Sequence, residues 1–316
     1  MKFLIFPAVP SDELDLINAG AGQCEVVNAA SLSEAETHIA DADGFYGALT
    51  SELFAQAGKL RWVQAPVAGV EHFVFPALAE SDVVFTNMAG IYSDVIADHA
   101  LTYLLMFARG FHVYRTAQAQ RVWDKNAPVR HLADCTVAVV GLGGIGMATA
   151  KRAKALETRV LGVEVRPIDK PEEVDELAGI EDLDEVLQRA DFVILCVPHT
   201  PETVNLITAR ELNLMKPSAY LINICRGVVV NLDDLTEALQ AGRIAGAGLD
   251  VFAIEPLPES HPLWAMENVI ITPHTAARGP HIRERHIRVV ADNLARFAAG
   301  RPLHNVTDKR RWFLAH

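Results

Sequence analysis

Arg226 in the run NICRG, Glu255 in DVFAIEP and His274 in TPHTA are residue types that together suit one reaction, the movement of a hydride and a proton onto a 2-keto acid. Such an acid presents a planar carboxylate beside a carbonyl. A guanidinium is a permanently charged fork that binds this group at two points and polarises the carbonyl, which the point charge of lysine does poorly. Hydride arrival creates an alkoxide that needs a proton, and histidine is the side chain whose ordinary pKa lies nearest neutrality. A carboxylate on the other ring nitrogen holds the imidazole and favours its charged form, and Glu255 suits that part. Arg226, Glu255 and His274 are therefore the candidate catalytic residues, with Arg226 and His274 also touching substrate.

The hydride needs a carrier, and the chain has a loop to hold one in Gly141-Leu142-Gly143-Gly144-Ile145-Gly146. A lone GxGxxG says little, but this one follows the apolar run TVAVV and opens a helical pattern. Glu164 stands 18 positions after the last glycine, at the end of the next apolar run, which is where a ribose-binding acid belongs. Gly141 allows the tight turn, Gly143 lets backbone N–H groups approach a pyrophosphate, and Gly146 brings helix and strand together. The start of the helix adds the positive end of its dipole. Glu164 can accept hydrogen bonds from ribose hydroxyls and its charge repels a 2'-phosphate, so NAD is favoured over NADP. Arg166, two positions later, keeps NADP in play.

These groups have to be placed by a scaffold. With 316 residues the chain is about twice the length of a common domain, which sets a prior of two. From Phe3 to Asn87, short apolar runs (KFLIF, CEVVNA, ADGFYGAL, LRWVQAPVAG, DVVFTN) alternate with helical stretches, the rhythm of a parallel α/β sheet. Ser93 stands where an N-cap would, before a long apolar helix from Val95 to Arg109. From Cys135 the alternation resumes with TVAVVG, RVLGVEV, DFVILCVP, AYLINICRG, GAGLDVF and VIITPH. In that scheme Arg226 and His274 end strands and Asp250 lies within one, at the carboxyl edge where open α/β sheets bind ligands. A further helix, His281 to Ala299, is stopped by Gly300 and Pro302.

Composition excludes several classes. A formal charge of −12 argues against a nucleic-acid or anionic-membrane partner, and the basic run Lys309-Arg310-Arg311 reads as a solvated tail. No apolar run is long enough to span a bilayer, and MKFLIFPAVPSDELD reads as a first β-strand rather than a signal peptide. Cys24, Cys135, Cys196 and Cys225 are widely spaced, form no CxxC pair and suggest no metal site, which favours a reducing, cytoplasmic setting.

Taken with VQAPVAGVEHF, IADHALTYLL, VPHTPET, EPLP, HPLW and RPLHNV, these motifs run over nearly the whole chain, which resembles the NAD-dependent D-isomer-specific 2-hydroxyacid dehydrogenases. The resemblance implies two doubly wound parallel-sheet α/β domains, a Rossmann nucleotide-binding domain inserted into a flavodoxin-like substrate domain. The boundaries expected are 1–94 and 280–316 for the substrate domain and 95–279 for the nucleotide domain.

It also implies roles for further residues. Arg226 would bind the substrate carboxylate and carbonyl, His274 would be the acid/base and Glu255 its partner. Asp250 would lie near the nicotinamide carboxamide, with Pro198, Thr203 and Ile224 also facing the cofactor. Ala68, Gly69 and Val70 would offer backbone N–H groups to the substrate carboxylate, and Tyr92 would line the pocket beside the 2-keto group. Members of this family are usually homodimers, with the helix near residue 95 at the interface.

Departures narrow the choice. Formate dehydrogenases pair their histidine with glutamine, so Glu255 argues against formate, and the length leaves no room for the regulatory domain of long phosphoglycerate dehydrogenases. Asp98 stands where the family usually has glutamate. Glyoxylate or hydroxypyruvate reduction fits what is left. The reading from another class is a catalytically idle NAD(H)-sensing module, like the corepressor relatives of these enzymes. No disordered tail or appended peptide-binding segment supports it.

Overall fold

A computed structural model describes residues 1–312 of the chain, which divide into two compact units, one of Met1–Ile91 with the segment from Gly279 onward, the other of Tyr92–Arg278. The first unit runs β1 (Lys2–Phe6), α1 (Ser11–Ala21), β2 (Glu25–Asn28), α2 (Leu32–Ile39), β3 (Gly44–Gly47), α3 (Ser51–Ala55), β4 (Trp62–Gln64), α4 (Pro76–Glu80) and β5 (Val84–Thr86). The second runs α5 (Ser93–Ala108), α6 (Phe111–Ala119), β6 (Thr136–Val140), α7 (Gly144–Ala155), β7 (Arg159–Val163), β8 (Glu176–Ala178), α8 (Leu183–Arg189), β9 (Phe192–Leu195), α9 (Ala209–Leu214), β10 (Tyr220–Asn223), α10 (Leu232–Gln240), β11 (Gly246–Leu249) and β12 (Val269–Ile271). The chain then returns to the first unit with α11 (Ile282–Ala298) and α12 (Lys309–Trp312).

Each unit is built on an all-parallel sheet, as near-continuous apolar strands separated by helices require. The first has the order β2-β1-β3-β4-β5, the flavodoxin-like arrangement. The second has the order β12-β11-β10-β9-β6-β7-β8, a Rossmann sheet whose strand order reverses between β6 and β9. Strands such as β9 and β10 are buried along their whole length, because helices cover both faces.

Local signals account for most boundaries. Ser31, Thr50 and Asn231 accept hydrogen bonds from first-turn amides of α2, α3 and α10, and Thr208 with Glu211 forms a capping box on α9. Ser93 is a correction. The N-cap of α5 is Tyr92, whose side chain makes no capping bond, and Ser93 is already helical. Short, half-buried β8 went unseen in the sequence, and Asp250 follows β11 rather than lying in it.

The returning segment is tied into the first unit by buried polar groups. Trp62 Nε1 donates to Thr86 Oγ1 (2.8 Å), and Thr86 Oγ1 donates to Gln64 Oε1 (2.8 Å). Asn293 of α11 also donates to Gln64 Oε1 (2.9 Å) and accepts from the amide of His304 (2.8 Å). Gln64 and Asn293 are fully buried, so each bond satisfies a group that would otherwise be stranded without water. Alongside them, α11 lies so close to α1 that a β-carbon on Gly20 would sit 2.5 Å from the Ala291 carbonyl oxygen. The solvated tail expected at the end of the chain is likewise corrected at Lys309. Its ammonium is buried and donates to the carbonyls of Ser81 and Val83 and to the Ser81 hydroxyl. Arg310 is exposed, and the side chain of Arg311 lies outside the described residues.

Candidate active site

The strands β10, β11 and β12 are parallel neighbours, so their carboxyl ends share one edge of the second sheet. Arg226 follows β10, Asp250 and Glu255 follow β11, and His274 follows β12. Asn223, the last residue of β10, fixes the first of these loops. Its side chain accepts from the Cys225 amide (3.1 Å) and donates to the Arg226 carbonyl (3.0 Å). A β-carbon on Gly227 would fall 1.9 Å from the Phe252 carbonyl carbon, so glycine there lets the Arg226 segment lie directly on the backbone leading to Glu255. The guanidinium is half-buried, and its Nη1 donates to the Cys225 carbonyl (2.7 Å).

Glu255 and His274 are brought together. One Glu255 oxygen accepts from the Phe252 amide (2.9 Å), which fixes the carboxylate, and the other lies 2.7 Å from His274 Nδ1. With Nδ1 committed, Nε2 is the ring atom left for proton transfer. The His274 side chain keeps 47% of its surface exposed, enough for a substrate to reach it.

His274 has a backbone φ of +52°, a left-handed conformation that costs a residue with a β-carbon about 1–2 kcal/mol. Asp250 holds it there. The Asp250 carbonyl accepts from the His274 amide (2.8 Å), and its carboxylate accepts from the amides of Thr275 and Ala276 (2.9 Å each) and from the Thr272 hydroxyl. Asp250 is 1% exposed. Both of its carboxylate oxygens thus hold the turn that carries His274.

The glycine loop has the shape its sequence requires. Gly141 has φ +93° and lies against the Cys196 carbonyl, and a β-carbon on Gly146 would sit 1.8 Å from the Gly141 carbonyl oxygen. Over Gly143 nothing lies within 4 Å, and no side chain caps the helix that starts there. Open space over a helix N-terminus with unclaimed amides, Gly144 and half-buried Ile145 among its first residues, fits a dinucleotide pyrophosphate. The loop also sits at the reversal of strand order. Opposite it, after β9, the Thr203 hydroxyl donates to the Pro198 carbonyl (2.7 Å) and accepts from the Thr200 amide (2.9 Å), closing the second wall of the crevice. Ile224 is buried in the unit's core.

Glu164 is more heavily engaged than the sequence suggests. One oxygen accepts from the Leu142 amide (3.0 Å) and from Arg166 Nη2 (2.9 Å). The other accepts from the amides of Val165 and Arg166 (3.1 and 3.2 Å) and from Arg166 Nε (3.0 Å). Burial alone would raise its pKa, but the bonds from Arg166 and from the Leu142 amide outweigh this and bring it down to about 2. Of these donors only the Arg166 side chain is half-exposed.

In the first unit, the carbonyls of Val67 and Ala68 accept from the Met88 amide (2.9 Å) and the Asn87 side chain (2.8 Å). The amides of Ala68, Gly69 and Val70 have no acceptor among the described residues. Tyr92, in the second unit, packs against that unit's core, and Asp98 pairs with Arg152 of α7 (2.6 Å).

Comparison with known proteins gives a consistent picture. The family model described as "D-isomer specific 2-hydroxyacid dehydrogenase, NAD binding domain" matches residues 101–276. A glyoxylate reductase of Pyrococcus horikoshii is 38% identical over 264 residues, 80% of this chain and 77% of that one. Among solved structures, a D-isomer-specific 2-hydroxyacid dehydrogenase from Xanthobacter autotrophicus Py2 in complex with NADPH and MES superposes with a TM-score of 0.86 at 31% identity, covering 99% of both chains. D-lactate dehydrogenase with NAD+ from Lactobacillus jensenii superposes with a TM-score of 0.77 at 26% identity, covering 97% of this chain and 99% of that one.

Proposed function

Because the chain belongs to the D-isomer-specific 2-hydroxyacid dehydrogenase family, we propose that it transfers a hydride between NAD(H) and a small 2-keto acid, in the manner of a glyoxylate or hydroxypyruvate reductase. The observation that carries this reading is the 2.7 Å pairing of His274 Nδ1 with Glu255 at the sheet edge that also presents Arg226. When bound, the nicotinamide supplies the hydride. Arg226 holds the substrate carboxylate and polarises the carbonyl, and His274 Nε2 gives its proton to the carbonyl oxygen while Glu255 stabilises the imidazolium that is spent. The unclaimed amides of Ala68, Gly69 and Val70 suit an acid group, and Tyr92 is proposed to face the substrate side chain.

NAD is the proposed dinucleotide because Glu164 stands behind the glycine loop and engages two nitrogens of Arg166 that would otherwise be available to a 2'-phosphate. A single panel tests reaction and cofactor together. The purified protein should oxidise NADH with at least one of glyoxylate, hydroxypyruvate, pyruvate and phenylpyruvate, with a higher kcat/KM than for NADPH. Glu164→Ala should narrow that gap, mostly through KM, because it removes the ribose acceptor and frees Arg166. A native preference for NADPH would transfer the role to Arg166, and tight NADH binding without turnover on any acid would favour the sensing module.

A homodimer is proposed as well. The buried face of α5, including Ile96, Leu101, Leu104 and Phe107, is spent inside its own unit, so the support comes from the neighbouring apolar surface. Phe111, Val122 and Val129 are exposed, and Trp123 is 90% exposed, at and after α6. Sedimentation should show a dimer that Trp123→Glu shifts to monomer, and a monomeric native chain at micromolar concentration would reject the proposal. The four free cysteines support a reducing, cytoplasmic setting, for which cell fractionation is the check. No helix among the described residues is long and apolar enough to cross a membrane.

A further inference from the structure

We propose that Tyr103 and His99 of α5 are positioning residues for His274, acting through the Thr272 hydroxyl and the buried Asp250 carboxylate. This rests on the reading of His274 as the acid/base.

Three groups meet at one atom. Thr272 Oγ1 is bonded to Asp250 Oδ1, lies 2.5 Å from the Tyr103 hydroxyl and lies 2.9 Å from His99 Nε2. A hydroxyl has one proton and two lone pairs. The Asp250 carboxylate can only accept, so the Thr272 proton goes to Asp250 and both lone pairs are left for Tyr103 and His99. That assignment makes Tyr103 a donor and puts a proton on His99 Nε2, and it uses the full bonding capacity of the hydroxyl. Burial first of all, with the Asp250 charge adding to it, pushes the Tyr103 phenol well above its usual range, so it stays protonated and able to donate.

The two helical residues are four positions apart, hence on one face of α5, and their rings meet edge-on with centroids 5.0 Å apart. Tyr103 reaches Thr272 because it lies flat on β11. A β-carbon on Gly248 would sit 2.7 Å from Tyr103 Cγ, so any larger residue there would lift the ring away. The line of contacts therefore runs from α5 to Thr272, to Asp250, and from Asp250 to the three successive amides of His274, Thr275 and Ala276. The turn that carries the imidazole is thus anchored to Asp250, His274 by the backbone carbonyl and Thr275 and Ala276 by the carboxylate that Tyr103 and His99 hold in place through Thr272.

The test uses Tyr103→Phe, which keeps the ring against Gly248 and removes only the hydroxyl, and Thr272→Val, which keeps shape and removes the junction. Both should lower kcat about tenfold with KM for NADH unchanged, since small displacements of a catalytic group are costly. Thr272→Ser, which retains the hydroxyl, should restore most of the rate. In NMR spectra the His274 ring signals, identified by their loss in His274→Ala, should broaden or divide in the two damaged variants and not in Thr272→Ser. Rates within twofold of the native protein in Tyr103→Phe and Thr272→Val, beside a crippled His274→Ala, would overturn the proposal alone. An unimpaired His274→Ala would overturn the acid/base reading and the proposal with it. A fall in melting temperature without loss of kcat would reduce the network to packing and also reject it.

Discussion

Replacement of His274 by alanine is expected to lower turnover about 10²- to 10⁴-fold while leaving NADH affinity within a few-fold of the native value, the span usual for loss of a positioned acid/base. The geometry makes the experiment selective. The His274 amide and those of Thr275 and Ala276 bond to Asp250 whatever side chain stands at 274, so the turn keeps its anchors when the ring is gone. The glycine loop belongs to the far side of the switch point, after β6, and shares no hydrogen bond with the imidazole. Steady-state rates with the best acid of the panel and NADH fluorescence titration give the two quantities. Undiminished turnover would remove His274 from the reaction.

Arg226→Lys should be nearly as damaging in spite of the conserved charge, with kcat/KM for the keto acid falling about 10²- to 10³-fold, equivalent to about 3–4 kcal/mol. A lysine ammonium can meet one oxygen, whereas the guanidinium meets a planar acid at two points and still polarises the neighbouring carbonyl. Asn223 and Gly227 fix the backbone at 226 through the main chain, so the substitution reports on the guanidinium itself. Retention of activity within about fivefold would show that a point charge suffices and that Arg226 does not grip the acid bidentately.

The features readable from sequence were those in which backbone geometry or residue chemistry dictates the residue type. Gly141 needs its positive φ and Gly146 touches a carbonyl, so the loop announces itself by composition. The eleven apolar runs became eleven strands because a parallel sheet buries both faces, and β8 was missed because Glu176, Leu177 and Ala178 are only half-buried and carry no such run. Arg226, Glu255 and His274 stood out because each follows an apolar run at the edge where ligands bind.

What sequence could not show were pairings across long separations. Nothing near Thr272 signals that Tyr103, 169 positions earlier, will meet its hydroxyl, or that Gly248 exists to admit that ring. The donors on Glu164 were equally invisible, because spacing says where a carboxylate lies and not how many donors already occupy it. Tyr92 displaced Ser93 as the helix N-cap for a similar reason, since a preferred capping side chain is only a local prior.

The first unit draws its last helices from the far end of the chain, and this reverses the usual order of birth. During synthesis residues 1–91 leave the ribosome without α11, so Gln64 lacks the amide of Asn293 and the face of α1 around Gly20 stays bare. The continuous segment Tyr92–Arg278 can complete its sheet first. The part of the protein made earliest is the part finished last.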